Sequence, residues 1–325
     1  MGSTLSLFKS FVDQQWPPKP TFSVDQIPDL TGKVVIVTGG YAGVGKETVK
    51  ALLNKNAKVY IAGRNKEKAD IAVAELKTTT TGTVEPVFLE LDLSSLKSVK
   101  KAAETFLSLE KELHILFNNA GVMWCPISEV TEDGYDKQFG TNVIGHWYFT
   151  ELLMPALIAG KETSSDGYSR VITTSSFGAY LSTIDFDTLK DTPKRRKTDT
   201  HTLYYQTKFA NVVVAKEVAQ RYADKGILSL SCNPGNLKTE LQRHVGWLEK
   251  LFINPILRPA SFGALTQLWA GTMPEAVQYN GQFLVPWARP ARCREEAYDP
   301  ELGKKLWDWL EEQLKEFNDT QSPSN

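Results

Sequence analysis

Three cysteines and four histidines among 325 residues leave little material for disulfide or metal chemistry. Cys125, Cys232 and Cys293 lack metal-type spacing and cannot all pair within one chain, so a reducing compartment, the cytoplasm, is the simpler expectation. His114, His146, His201 and His244 are equally scattered, and no metal site is expected. Net charge is nearly absent: 37 basic against 38 acidic residues gives −1, which offers nucleic acid no electrostatic attraction. The short run Lys194-Arg195-Arg196-Lys197 reads as four solvated cations in a polar loop. No apolar stretch approaches the roughly eighteen residues of a membrane-spanning helix. A secretory signal is not expected either, since no basic start leads into an early apolar core. With 42% hydrophobic and 23% charged residues, the composition is that of an ordinary globular protein.

What the chain does have is a strand that turns sharply through spaced glycines. Val34-Val35-Ile36-Val37 is a continuous β-branched run, as expected of a parallel strand covered on both faces. Thr38-Gly39-Gly40-Tyr41-Ala42-Gly43-Val44-Gly45 then gives the pattern T-G-x-x-x-G-x-G and opens onto a helix expected over 44–54. Backbone N–H groups around Val44 and the positive helix end would face whatever lies there, and a pyrophosphate suits such a site. Alone, the turn is equally a tight strand–helix connection, and its spacing differs from the commoner G-x-G-x-x-G.

Strand and helix alternate from there on. Strands are expected at 58–62, 84–91, 113–117, 170–174, 228–232 and 281–285. Helices are expected at 66–77, from Ser94 as cap to 109, at 142–159, 203–222 and 300–317. This order implies right-handed crossovers and a single doubly wound parallel α/β sheet of Rossmann type with helices on both faces. The expected divisions are an N-terminal arm (1–30), one domain (31–317) and a loose tail (318–325). In the arm, Leu5, Leu7, Phe8, Phe11, Val12 and Trp16 precede Pro17, Pro18 and Pro20, which stop any helix. Two readings stand: an arm packed on the domain, or a membrane-surface foot helped by Lys9. Met1-Gly2-Ser3-Thr4-Leu5-Ser6 also fits the loose myristoylation pattern. A second apolar stretch, with Leu241, Val245, Trp247, Leu248, Leu251, Phe252, Ile253 and Ile256, reads as a substrate lid near 237–257, a membrane patch or part of the core.

Particular residues point to chemistry. The second strand should end where an adenosine ribose lies, and there the chain has Ala62-Gly63-Arg64-Asn65, with no acid to accept from a 2′-hydroxyl. Arg64, with Lys46 as a second positive charge, therefore favours NADP(H). Tyr204 and Lys208 are one helical turn apart and share a face, so a lysine ammonium could make the tyrosine proton easier to move. Tyr205 lies off that spacing. Ser175 and Ser176 both follow the fifth strand, and since successive residues point opposite ways only one can face a site.

Thr38-Gly39-x-x-x-Gly43-x-Gly45, Asn118-Asn119-Ala120-Gly121, Tyr204-x-x-x-Lys208 and Pro234-Gly235 occur in the order of the short-chain dehydrogenase/reductases. The resemblance spans about 31–290. Gly45-Lys46-Glu47-Thr48, the stretch 118–123 with Cys125-Pro126, and Lys208-Phe209-Ala210-Asn211 resemble the retinol dehydrogenase-like branch. The resemblance implies that Asp92 and Leu93 line the adenine, although Asp92 could serve equally as a helix cap. It implies that Asn119, Ala120 and Gly121 lie at the mouth of the central strand. Ser176 is favoured over Ser175 to polarise the substrate oxygen. Asn142 would open a long helix and support a proton relay, or simply cap that helix. Pro234, Gly235 and Thr239 would form the nicotinamide-side loop, and 184–202 resembles an insertion of that branch.

The implied activity is NADP(H)-dependent interconversion of a hydrophobic aldehyde or ketone and its alcohol, with Tyr204 as general acid/base. Alternatives are an aromatic carbonyl reductase without a lipid role, or a non-catalytic NADP(H)-sensing or scaffold protein. The expected partner is a small molecule, with peripheral membrane contact left open. The chain is expected as a monomer, or as a dimer through the helices of Asn142 and Tyr204.

Overall fold

Residues 4–82, 84–237 and 257–321 are described by a computed structural model. The β-branched run forms β1 (Val34–Thr38), buried along its whole length. The other strands are β2 (Lys58–Gly63), β3 (Val87–Glu90), β4 (Ile115–Asn118), β5 (Ser169–Thr174), β6 (Ile227–Cys232), β7 (Phe283–Val285) and β8 (Arg289–Ala291). They make one eight-stranded sheet in the order β3-β2-β1-β4-β5-β6-β7-β8. All pairings are parallel except the last, where β7 and β8 run antiparallel. The order reverses between β1 and β4, the place where open α/β sheets bind ligands beyond the carboxyl ends of their strands.

The helices are α1 (Thr4–Gln15), α2 (Gly43–Leu53), α3 (Lys66–Thr79), α4 (Leu96–Leu109), α5 (Gly145–Gly160), α6 (Thr200–Arg221), α7 (Ala260–Thr272) and α8 (Pro300–Gln321). Alternation along β1 decides the two cores. Val34 and Ile36 face a cluster with Val99 and Phe106 of α4, Phe149 and Leu153 of α5, Phe209 and Val213 of α6, and Leu306 and Leu310 of α8. Val35 and Val37 face the opposite cluster with Val49 and Leu52 of α2, Leu76 of α3 and Leu268 of α7. Among the described residues, no helix is long and apolar enough to cross a membrane.

Several expectations are corrected here. The cap of α4 is Ser95, which accepts from the Ser98 N–H, while Ser94 is turned to the Asp92 carboxylate. The third strand begins only at Val87, after Pro86, which lacks the N–H that a ladder needs. Strand β8 was not anticipated, being three residues long with Pro290 at its centre. Helix α8 continues through residue 321, so 318–321 are helical rather than loose.

The largest correction concerns the basic run. Arg195 is only 1% exposed and is the largest fully buried side chain. Its Nε donates to Asp136 at 2.9 Å, and its two Nη atoms donate to the carbonyls of Ile127 (2.9 Å) and Glu129 (2.6 Å). Lys194 pairs with Asp185 and Asp187, and Arg196 pairs with Asp191. The run is therefore a clamp that fastens the segment after β5 onto the loop after β4. Asp136 in turn accepts from the N–H groups of Gln138 and Phe139, at the start of the helical run that leads to Asn142. Burial pushes the Asp136 carboxyl up, while those backbone bonds and Arg195 pull it back down. Removing the guanidinium would leave a buried carboxylate without its cation. Arg195→Ala should lower unfolding stability by about 3 kcal/mol or more in urea titration, whereas Arg196→Ala on the surface should change it far less. Equal effects would mean that the buried pair does not hold this segment.

Candidate active site

The glycine turn is built by close approach. Gly39 and Gly43 have φ of +66° and +51°, conformations that a side chain disfavours. A Cβ on Gly45 would lie 2.4 Å from the Gly39 carbonyl oxygen and 2.7 Å from Asn119 Nδ2, so the helix can start this close only with glycine there. The residue before α2 is Ala42, which provides no side-chain cap. The N–H groups of the first helical turn, including that of Val44, are thus left to an external acceptor at the positive helix end, which fits a dinucleotide pyrophosphate.

Thr38 closes the base of this turn. Its hydroxyl accepts from the N–H groups of Asn119 and Ala120, each at 2.9 Å, and is 2.9 Å from His146 Nε2. Asn119 Nδ2 donates to the Thr38 carbonyl at 2.9 Å. At the end of β2, Arg64 is exposed beside Asn65, which caps α3. Lys46 is held by Glu75 at 2.9 Å, so its charge is already partly spent within the protein. Asp92 accepts from the Ser94 N–H and hydroxyl at 2.9 and 2.7 Å. The Leu93 side chain is buried, and a Cβ on Gly145 of α5 would come within 2.3 Å of the Leu93 carbonyl oxygen.

The second half of the site lies past β4, β5 and β6. Helix α6 is capped by Asp199, which accepts from the N–H groups of His201 and Thr202, and it carries Tyr204 and Lys208 into the interior. Ser176 lies beside Tyr204 and restrains the rise of its phenol, and its Oγ accepts from the Gly178 N–H at 3.1 Å. Ser175 points the other way and donates to the Lys208 carbonyl at 2.6 Å. The structure thus brings Ser176, not Ser175, beside Tyr204. Lys208 Nζ donates to the Thr174 carbonyl at 3.0 Å and lies 5.6 Å from the centre of the Tyr204 ring. Among the described residues, no carboxylate pairs with this ammonium.

Asn142 does not open α5. It lies inside a π-helical turn, Gly140–Ile144, that continues straight into α5. Its Oδ1 accepts from the Val122 N–H (2.8 Å), and its Nδ2 donates to the Val122 carbonyl (2.9 Å) and to Thr207 Oγ1 (3.1 Å). Gly121 sits between these groups: a Cβ there would be 3.2 Å from Asn142 Oδ1 and 3.7 Å from Lys208 Nζ. Pro234 and Gly235 follow β6, with the Gly235 N–H donating to Asn233 Oδ1 at 2.9 Å and its φ at +83°. Thr239 and the apolar stretch 241–256 lie outside the described residues.

Burial sets the protonation states. It pushes the Tyr204 phenol up, with the Ser176 hydrogen bond working against the rise, so the hydroxyl is protonated at neutral pH. Burial, Ser176 and Tyr205 are what act on the phenol, and the expected lowering by Lys208 is absent. Burial instead pulls the Lys208 ammonium down to about 8 and His146 down to about 4.

Three residues that pattern alone did not single out complete the cluster. His146 is one turn past Asn142, and with its Nδ1 3.2 Å from the Asn142 carbonyl it must carry its proton there. Thr207 holds Asn142 from α6. Gln267, fully buried on α7, donates to Thr48 at 2.6 Å and accepts from Thr174 at 3.1 Å, tying the helix after the glycine turn to the end of β5. Spacing could have flagged His146 and Thr207. Nothing in the local pattern marks Gln267. Among the described residues, no group of three His, Cys, Asp or Glu side chains could hold a metal ion.

A doubly wound sheet with a glycine turn at its switch point, and Ser176, Tyr204 and Lys208 grouped beside it, fits the class of nucleotide-dependent oxidoreductases. Residues 33–185 match the family model for short chain dehydrogenases. A short-chain dehydrogenase/reductase from Armillaria gallica is 55% identical over 98% of this chain and all of that protein. Human retinol dehydrogenase 11 is 35% identical over 86% of this chain and 85% of that one. Among solved structures, an uncharacterised Mycobacterium paratuberculosis protein superposes with a TM-score of 0.70 at 26% identity, covering 90% of this chain and 97% of that chain. A Brucella melitensis 3-ketoacyl-(acyl-carrier-protein) reductase complexed with NADH gives 0.61 at 25% identity, covering 79% and 96%. The chain belongs to the short-chain dehydrogenase/reductase family.

The buried lysine has a stability consequence. Its folded pKa of about 8 is below the ordinary 10.5, so between those values the unfolded chain binds more protons and stability rises with pH. Below pH 8 the full cost of burying the ammonium is present. Lys208→Met should therefore stabilise the cofactor-free protein at pH 7 by roughly 3 kcal/mol, with the gain shrinking towards pH 10.5, as read by urea unfolding at several pH values. A gain that does not change with pH would show that the ammonium is not desolvated.

Proposed function

We propose that the protein reduces apolar aldehydes or ketones to alcohols with NADPH, or runs the reverse oxidation, through residues of the 31–317 domain. The observation that carries this reading is the Tyr204 phenol, buried beside Ser176 with Lys208 Nζ 5.6 Å from the centre of its ring. When bound, NADPH supplies the hydride that the carbonyl carbon accepts. Tyr204 Oη gives the proton to the carbonyl oxygen, a direction that burial favours by keeping the phenol neutral beforehand. The Ser176 hydroxyl holds that oxygen as negative charge grows on it. Lys208 faces the tyrosinate that forms, and its donors not used by Thr174 suit the hydroxyls of a ribose. Asn142 spends its side chain on Val122 and Thr207, so its part is to position the wall of the site.

Gly39, Gly43 and Gly45 would seat the pyrophosphate. Arg64, with no acid in reach at the end of β2, supports a 2′-phosphate and hence NADP(H), while Lys46 would first have to leave Glu75. Likeness to a protein named a retinol dehydrogenase supports an apolar substrate.

Tyr204→Phe should lower kcat by about 10²- to 10⁴-fold with NADPH affinity unchanged, measured by aldehyde reduction and by fluorescence titration of NADPH. Near-normal turnover would overturn the assignment. Arg64→Asp should weaken NADPH binding at least about tenfold and leave NADH binding within about twofold, since only the former has a 2′-phosphate to lose. Equal changes for the two nucleotides would remove Arg64 from the cofactor site.

A further inference from the structure

Helix α1 is fastened to the end of the sheet where the site lies. Phe11 packs edge-on against Phe177, the residue after Ser176, with ring centres 5.3 Å apart. Gln14 is 3% exposed, and its Oε1 accepts from Asn233 Nδ2 at 2.8 Å in the loop after β6. Gln15 is hydrogen-bonded to Asn236 of the same loop. Asp13 makes a two-pronged pair with Arg289, the first residue of β8 across the turn from the end of β7, at 3.0 and 2.9 Å. Tyr180, whose hydroxyl donates to the Arg292 carbonyl at 2.9 Å, stacks on Phe177 at 5.3 Å. Three consecutive strand ends, those of β5, β6 and β7, are thus bridged by one short helix. The glycine turn, Arg64 and Asp92 occupy the β1–β3 end of the same rim, so α1 covers the half left for the other reactant.

The side of α1 that stays exposed carries large apolar residues, with Lys9 and Asp13 among them. Phe8, Phe11, Val12 and Trp16 are 63%, 37%, 39% and 58% exposed. Among the described residues, Phe8, Lys9, Val12, Asp13 and Trp16 line an open pocket of about 590 Å³. A helix held by polar bonds to the strand ends, one of them buried, while it presents large apolar side chains beside a reaction centre is placed to take the apolar remainder of a substrate. We propose that α1 is the distal wall of the substrate site and selects carbonyl compounds with a long apolar chain. This rests on the reductase reading, and it adds which part of the molecule recognises the substrate.

Both points can be tested separately in the full-length protein, with propanal and dodecanal as substrates under NADPH. Phe8→Ser and Phe11→Ala should each lower the dodecanal/propanal ratio of kcat/KM about tenfold, mainly through a higher KM for dodecanal, because only the long chain reaches α1. An unchanged ratio in both variants would overturn the proposal. Phe8 is on the surface, so its replacement reports even where Phe11→Ala unfolds. Calorimetric titration of wild type and Phe8→Ser with dodecan-1-ol gives the same comparison without turnover. If wild type reduces neither aldehyde, the reductase reading fails. Weaker dodecanol binding by Phe8→Ser would then still support α1 as the wall, and equal binding would overturn it.

Discussion

The hydroxyl of Thr38 is the joint on which the site depends. It sits at the last residue of the central strand and uses all of its hydrogen-bonding capacity within the protein. Two backbone N–H groups from Asn119 and Ala120 occupy its lone pairs. Its proton has two acceptors in reach, the Phe117 carbonyl at 3.2 Å and His146 Nε2 at 2.9 Å, the latter because that ring carries its own proton on Nδ1, opposite the Asn142 carbonyl. One buried oxygen therefore joins the glycine turn, the end of β4 and the π turn that carries Asn142. A buried polar group of this kind must be fully partnered to be tolerated, and here it is. Neutral histidine is part of the same logic, because burial and the nearby Lys208 both oppose its charging.

From that joint the cluster extends without a break. Asn142 reaches Val122 and Thr207, Thr207 lies on the helix of Tyr204 and Lys208, and Lys208 reaches the end of β5 at Thr174. Gln267 returns from Thr174 to Thr48 behind the glycine turn. Two helices on each face of the sheet, α5 and α6 on one and α2 and α7 on the other, are thereby held to the same strand ends. Such a network keeps Tyr204 and its neighbours in fixed positions, which matters in any site where small displacements carry large losses in rate.

The segment after β5 follows a different principle. Its four cations looked like surface charge, and three of them turned out to be paired, one of them deep inside. Arg195 has planar donors enough for Asp136 and two loop carbonyls together, a pattern that a lysine could not satisfy. Helix α1 shows the converse. Its apolar residues looked like candidates for a buried face, yet polar Gln14 is the buried member, while Phe8 and Trp16 stay exposed.

The chain order of strands and helices, the glycine turn and the Tyr204–Lys208 spacing could be read directly from the residues, because period-two and period-3.6 patterns and a four-residue offset are local properties. The missing acid beside Arg64 was equally visible. Tertiary structure alone decided the rest. It turned Ser176 rather than Ser175 towards Tyr204, placed Asn142 within a π turn, and brought Gln267 and Arg195 to partners dozens of residues away. It also reversed the expected electrostatics, since desolvation depends on everything packed around a group: the lysine is pulled down and the tyrosine is not. Pattern can name the groups that do chemistry. Only packing determines which way they face and what charge they carry.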